Sequence, residues 1–407
     1  MARSGRKPET KPPSFERVDA CIRNLQDRHE YWHKITRTPA TREAAMAGIV
    51  GELQAGHLPI SVLDMRCLAI FAFSGVSIKK GTPKEARLAY RAVSLLLLTL
   101  HDGSPGPLLD EAFPALSKAI QADDAPPATL IAAIDCLATA SFTGACHVEE
   151  AMKAIWHVMV KPPVRSRSTK LKTREAPETS LEVLAAAVSA WTFLLATTTN
   201  TQQQQKKADR GTSSWSTSIA SLMEMLDADD RRVRIAAGEA LAVCVELNLL
   251  TNNDMDVLVA KVSELADEPA SKGANNTLLR EQKELFGRIS AFLNHDEPPT
   301  TLVRTPSARQ GVMKVSTWVR LAQLNFLSKI LGNGFLKHAQ DNPRLNEAFR
   351  SGRVEGKPLS IQDDGSGGMT IDDFFPWPLY RDRDCPWISG NIFSRQGPQA
   401  LLQLGWH

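Results

Sequence analysis

DDRRVRIAAGEALAVCVEL, residues 229–247, is the stretch from which the rest of the chain can be read. A short carboxylate at Asp229 or Asp230 accepts hydrogen bonds from the first free N–H groups of a helix and suits its positive end. Val233, Ala236, Ala237, Ala240, Cys244 and Leu247 follow at three- and four-residue spacing and form one apolar stripe. Gly238 costs roughly 1 kcal/mol against alanine in a helix interior, so a close neighbouring backbone is the expected reason for it. No side chain of the segment is arranged for chemistry, and Arg231, Arg232 and Arg234 have acids beside them at Asp227, Asp229, Asp230 and Glu239. The segment reads as a packing helix.

The same shape recurs upstream: a polar start, an arginine, then small and apolar residues. TPATREAAMAGIVGEL (38–53) and TPKEARLAYRAVSLLLL (82–98) share it with 229–245. Helical periodicity predicts helices over 14–36, 41–56, 60–79, 84–101, 107–122, 127–143, 147–160, 179–199, 215–226, 230–249, 253–267, 276–294, 314–339 and 343–350, with no sustained strand alternation. Short polar or proline-bearing turns between them suit antiparallel helix pairs. The pattern resembles HEAT and armadillo repeats, which implies an all-α, right-handed α-solenoid of stacked antiparallel helices with an irregular C-terminal tail. The expected organisation is a disordered basic tail over 1–13, a helical array over 14–294, a C-terminal helical region over 295–352, and a divergent tail over 353–407. Mobile loops are expected at 161–178 and 200–214, where the sequence turns basic and then glutamine-rich.

Composition sets outer bounds. The chain has 407 residues, 43% hydrophobic and 23% charged, with a net charge of +3. That suits a soluble protein with a large core and gives no whole-molecule field favouring nucleic acid or membranes. The six cysteines lack metal spacing, which favours reduced thiols in a cytoplasmic or nuclear protein. The start, MARSGRKPETKPP, has no secretory character, and the apolar run Val183–Ala196 is shorter than the roughly 20 residues of a membrane helix. Neither a membrane nor a small-molecule substrate is expected as a partner.

Helix 314–339 is apolar on two sides: Val315, Trp318, Val319, Ala322, Phe326 and Ile330 form one stripe, and Leu321, Leu324, Leu327 and Leu331 the other. Such a helix lies between layers or under a partner. A glycine kink at Gly332 and Gly334 follows, then Asn342 as a cap and Pro343 at the start of a short helix.

AWTFLLA (190–196), DRRVRIAAGEALAVCVEL (230–247) and WVRLAQLNFLSKILGNGFLKHAQDNPRLNEAFRSG (318–352) are similar, in order and spacing, to motifs of the interferon-related developmental regulator family. LLREQKELFGRISAFLN (278–294) and the helices after 38 and 82 resemble it further. The resemblance implies a non-enzymatic armadillo-like regulator of gene expression that needs no cofactor. It implies either ribosome association with inhibition of translation, or transcriptional co-regulation through chromatin-modifying complexes. It leaves cytoplasm and nucleus both open. Members of the family commonly end in a Lys/Arg-rich tail, whereas residues 351–407 carry five basic and seven acidic side chains. Such a tail is poorly suited to threading along RNA, where affinity scales with the cations presented.

The candidate contacts with a protein partner or with ribosomal RNA are cationic. Lys161, Arg165, Arg167, Lys170, Lys172 and Arg174 form an acid-free loop that suits phosphates, but it has no aromatic residue for base stacking. The loop reads equally as a solvated linker. Arg320, Lys329, Lys337 and His338 cluster around the glycine kink. Asp230, Arg234, Ala237, Gly238, Trp318, Gly332, Gly334, Asn342 and Pro343 are read as structural. DDFFPWPLYRDRDCPWISG (372–390) suits either a docking segment or a cap on the array.

Catalytic readings fail on spacing. Cys146-His147 beside Asp135 and Cys136 reads as buried cysteine, no H-E-x-x-H or C-x-x-C pattern exists, and GRVEGK (352–357) lacks the hydroxyl and the strand of a phosphate loop. A generic armadillo adaptor, for instance in nuclear transport, is the alternative. Groove-lining helices of that type carry Trp with Asn four residues on, and no tryptophan within 14–352 has that asparagine.

Overall fold

The computed structural model describes residues 14–30, 39–56, 58, 63, 66–100, 105–122, 125–144, 147–160, 178–198, 217–269, 276–304, 312–342, 345, 349 and 353–354. The tails at 1–13 and 355–407, most of both expected loops, the six cations of 161–174, Cys146 and Pro343 lie outside them.

Helices come in pairs along the chain. The first six are α1 (Ser14–Glu30), α2 (Pro39–Ala55), α3 (Cys67–Lys80), α4 (Pro83–Thr99), α5 (Pro105–Ala119) and α6 (Pro127–Gly144). The next six are α7 (Val148–Val160), α8 (Glu178–Thr198), α9 (217–225), α10 (Arg231–Glu246), α11 (Asn252–Ala266) and α12 (Asn276–His295). The even-numbered helices stack in chain order, α2 on α4, α4 on α6, α6 on α8, α8 on α10 and α10 on α12. This is the inner layer. The odd-numbered helices back it, with α1, α3, α5, α7 and α11 each packed on its successor. The described chain is therefore mainly helical, in two stacked layers. One continuous apolar core runs from Val18 to Phe349. α6 and residues 181–198 of α8 are apolar enough in length and composition to cross a membrane, yet both are central members of the inner layer. Their apolarity is accounted for by neighbours on both sides.

Local signals explain where helices begin. Thr82 accepts from the Glu85 N–H and precedes Pro83 at the first helical position. Asp230 accepts from the Arg232 N–H, and Thr251 forms a reciprocal capping box with Asp254. The recurring arginine joins consecutive pairs. Arg42 donates to Glu85 Oε1 (3.0 Å), to Ser77 Oγ (3.1 Å) and to the Leu25 carbonyl (3.1 Å), linking four helices through a fully buried ion pair. Arg234, at the equivalent place on α10, reaches the Ala228 carbonyl (2.9 Å), Glu268 (3.0 Å) and Gln282 (3.1 Å). Arg231 pairs with Glu268, and Arg232 with Asp230 and Glu182. The acids that hold these arginines thus come partly from α8 and from the α11–α12 turn, beyond the sequence neighbours expected.

Three expectations are corrected. A Cβ on Gly238 would meet the Phe286 ring at 2.8 Å, so the glycine makes room for a neighbouring aromatic ring and not a backbone. A small antiparallel sheet follows α12, with β1 (Thr301–Arg304), β2 (Val312–Val315) and β3 (Arg353–Val354) in that order. Its register pairs Thr301 with Val315 and Val312 with Val354. The helix expected over 314–339 consequently starts later and is divided into α13 (Trp318–Leu331), a tight turn over Gly332–Gly334, and α14 (Phe335–Asp341).

Candidate interaction surface

Residues 317–342 lie as a strap across the inner layer, running back from α10 toward α2. Thr317 caps α13, and the Glu246 carboxylate at the end of α10 accepts the Trp318 and Val319 N–H groups at 3.0 and 2.7 Å. An acid at that point suits the positive end of α13. Burial nonetheless pushes the Glu246 pKa up. Farther along, Asn325 donates to Glu239 (2.7 Å), Lys329 Nζ sits 2.8 Å from Asp135 of α6, and Arg91 of α4 donates to the Ile330 carbonyl (3.3 Å). Burial also raises the pKa values of Glu239 and Asp135, against the opposing pull of Asn325 and Lys329 respectively.

The strap caps helix ends as well. The last four carbonyls of any α-helix lack partners within the helix. Gln323 donates to the Ala196 carbonyl of α8 (3.1 Å), and Asn342 to the Leu98 carbonyl of α4 (2.7 Å). His338 Nε2 lies 2.9 Å from the Leu53 carbonyl of α2; a carbonyl only accepts, so that nitrogen carries the proton. Asn342 Oδ1 also accepts from the Leu345 N–H (3.4 Å), the capping role expected of it. Below these bonds, Phe326 stacks on Phe193 (4.1 Å between ring centres) and Trp318 packs at 6.0 Å on Phe292.

The turn at 332–334 needs both glycines. Gly332 has φ +53°, and a Cβ on Gly334 would overlap the Gln54 carbonyl, so α2 and the strap touch backbone to backbone.

Of the sequence-derived contacts, Lys329 and Lys337 are exposed, while Arg320 and His338 are buried. The reason for Arg320 is angular. At about 100° per residue it sits opposite Lys329 on α13, among Leu324, Leu327 and Leu331. Burial pushes its guanidinium pKa down. His338 is buried because it serves the end of α2. Trp318 is fully buried, as its apolar stripe implies. Cys136 and Cys244 are buried too, with thiol pKa values pushed up to about 12, so neither supplies a thiolate. Among the described residues no group of three His, Cys, Asp or Glu side chains could hold a metal. The contact residues absent from the sequence reading are Gln323 and Asn325 on α13 and Glu246 on α10, while Glu239, expected beside the arginines, accepts from Asn325 instead.

The profile of the interferon-related developmental regulator family matches residues 7–294. This chain belongs to that family. Interferon-related developmental regulator 1 of Mus musculus is 25% identical over 327 residues, covering 78% of this chain and 69% of its own length. The Homo sapiens protein of the same name is 24% identical over the same shares. Interferon-related developmental regulator 2 of Mus musculus is 24% identical, over 78% of this chain and 70% of its own. These relatives are named as regulators, not as enzymes. The family match ends at 294, and the strap that fills part of the inner face lies beyond it.

Proposed function

We propose that this member of the family regulates gene expression by binding, as a ribosome-associated repressor of translation or as a transcriptional co-regulator in chromatin-associated complexes. In either setting it is a rigid scaffold, a right-handed α-solenoid locked by its own C-terminal helices. The observation that carries the regulatory reading is the family match over residues 7–294, and the one that supports a locked scaffold is the strap. It buries Trp318, Leu321, Phe326, Leu327, Ile330 and Leu331. At about 1.5–3 kcal/mol per fully buried large apolar side chain, its gross apolar burial is on the order of 10 kcal/mol, an upper bound that the entropy of ordering the segment offsets. The strap occupies the C-terminal side of the inner face, which is therefore not open across its whole width as a cargo groove. That weighs against a transport adaptor of the armadillo type.

Sedimentation of tagged protein from lysate at low and high salt tests the proposal. Co-migration with ribosomes that is lost at high salt supports translational repression. Recovery only in the slow fraction, with chromatin proteins in the pull-down, assigns transcriptional co-regulation. Recovery with neither partner class overturns both.

A further inference from the structure

The strap covers only the C-terminal side of the inner layer. Its outermost polar contacts fall at Arg91, Asp135 and Glu239, each eight positions past the first residue of its helix (Pro83, Pro127 and Arg231). At 1.5 Å per residue, the described residues leave a strip about 12 Å wide between the strap and the N-terminal edge of the layer, close to the 10–12 Å diameter of one helix. Stepping back three or four residues from each contact keeps the same helix face. That places half-buried Leu88, Ile131, Ala132 and Ile235 along the strip, with Ala185 at the matching place on α8. The Arg232–Glu182 pair across α10 and α8 fixes the alignment at one end.

Charge is uneven along this strip. At the α10 end Arg232 and Glu182 neutralise each other. At the α4 end Arg87 is exposed, Arg91 is half-buried with its guanidinium on a carbonyl, and Lys329 is exposed beside the buried Asp135.

We propose that this strip is the docking surface for an amphipathic helix of a partner protein, apolar toward Ile131 and Ile235 and acidic where it passes α4. From α4 to α10 the strip crosses three helix spacings of about 8–10 Å, which a helix of about 16–20 residues spans. The α13 helix beside it shows that the layer accepts a helix in this crossing direction. The inference goes beyond the proposed function, because it names the chemistry of the partner and holds for either complex.

The test uses the full chain and a fluorescein-labelled helical peptide of about 20 residues, with a Leu/Ile stripe and glutamates flanking it toward one end. Controls are the same peptide with lysine for glutamate and a single-stranded RNA of about 20 nucleotides. Fluorescence anisotropy is expected to show binding of the acidic peptide only. Arg87→Glu and Ala128→Glu, both at exposed positions of the strip, are expected to raise its Kd about tenfold each, while Lys153→Glu on the outer layer leaves it unchanged. Thermal melting by circular dichroism confirms that each variant folds. Absence of acidic-peptide binding, or binding indifferent to both strip substitutions, overturns the proposal. RNA binding that Arg87→Glu abolishes, with no peptide binding, reassigns the strip to nucleic acid.

Discussion

Along α4, α6 and α10 the inner face changes character at residues 91, 135 and 239. On the C-terminal side every contact has a partner from the strap: aromatic rings meet rings, amides meet helix-end carbonyls, and two carboxylates meet Asn325 and Lys329. On the N-terminal side, with the same helices and the same period, half-buried aliphatic side chains and cations stand without a covering element among the described residues. Sealing with side chains of the same chain stabilises one strip. The other is left to interact. Substitutions should therefore separate into those that change stability and those that change binding.

The sharpest break is Trp318→Ala. It empties the site against Phe292 and loosens the start of α13, with an expected loss of about 3–5 kcal/mol in urea unfolding. Hydrogen exchange should accelerate over 318–342 more than in α2–α6; uniform acceleration would mean that strap and array are one cooperative unit. Gly334→Ala comes next, at about 1–3 kcal/mol, because the new methyl group displaces the Gln54 carbonyl. Its exchange effect should centre on the end of α2.

A third prediction concerns pH. Burial holds the Glu246 pKa above its unfolded value, so the folded state binds this proton more tightly than the unfolded chain. Stability from this group therefore rises as pH falls from neutral toward the ordinary carboxylate value. Glutamine does not titrate, so the stability deficit of Glu246→Gln relative to wild type should widen between pH 7 and pH 5 in matched urea series. A deficit that narrows would show that the ionised carboxylate is the favoured form there. The smallest effect on stability is expected for Arg87→Glu, within about 0.5 kcal/mol, since its side chain is exposed. A large loss of stability there would end the distinction between the two strips.

Most of the array was legible because its signals are local. The cap at Asp230, Pro83 at a helix start and the stripes of α10 depend on residues within one or two turns of each other. The two apolar sides of α13 announced that it would be covered. What covered it was not legible, since its bonds join residues as far apart as His338 and Leu53. Arg320 and His338 were placed on a surface because of their charge; the angular position of Arg320 opposite Lys329 was a usable signal, whereas nothing local marks His338 as a helix-end cap. The sheet escaped because four-residue strands are too short for alternation to register. The family resemblance carried no information on how the last helices fold back. The open strip, made of ordinary aliphatic residues, has no sequence signature at all.

The backbone contact of Gly334 with α2 also has a consequence in time. A stack of repeats needs only neighbours, so each pair can fold as it is made. The strap instead joins α2 to residues made far later in the chain. At about 5–20 residues per second, the 285 residues between Leu53 and its partner His338 take roughly 15–60 seconds to make. Leu53 waits throughout that interval without its partner, and once α8 is made the growing array also carries a bare aromatic face at Phe193. Closure therefore comes after the array is made, and a nascent chain stalled before residue 317 is a natural client for whatever shields apolar surface on newly made proteins.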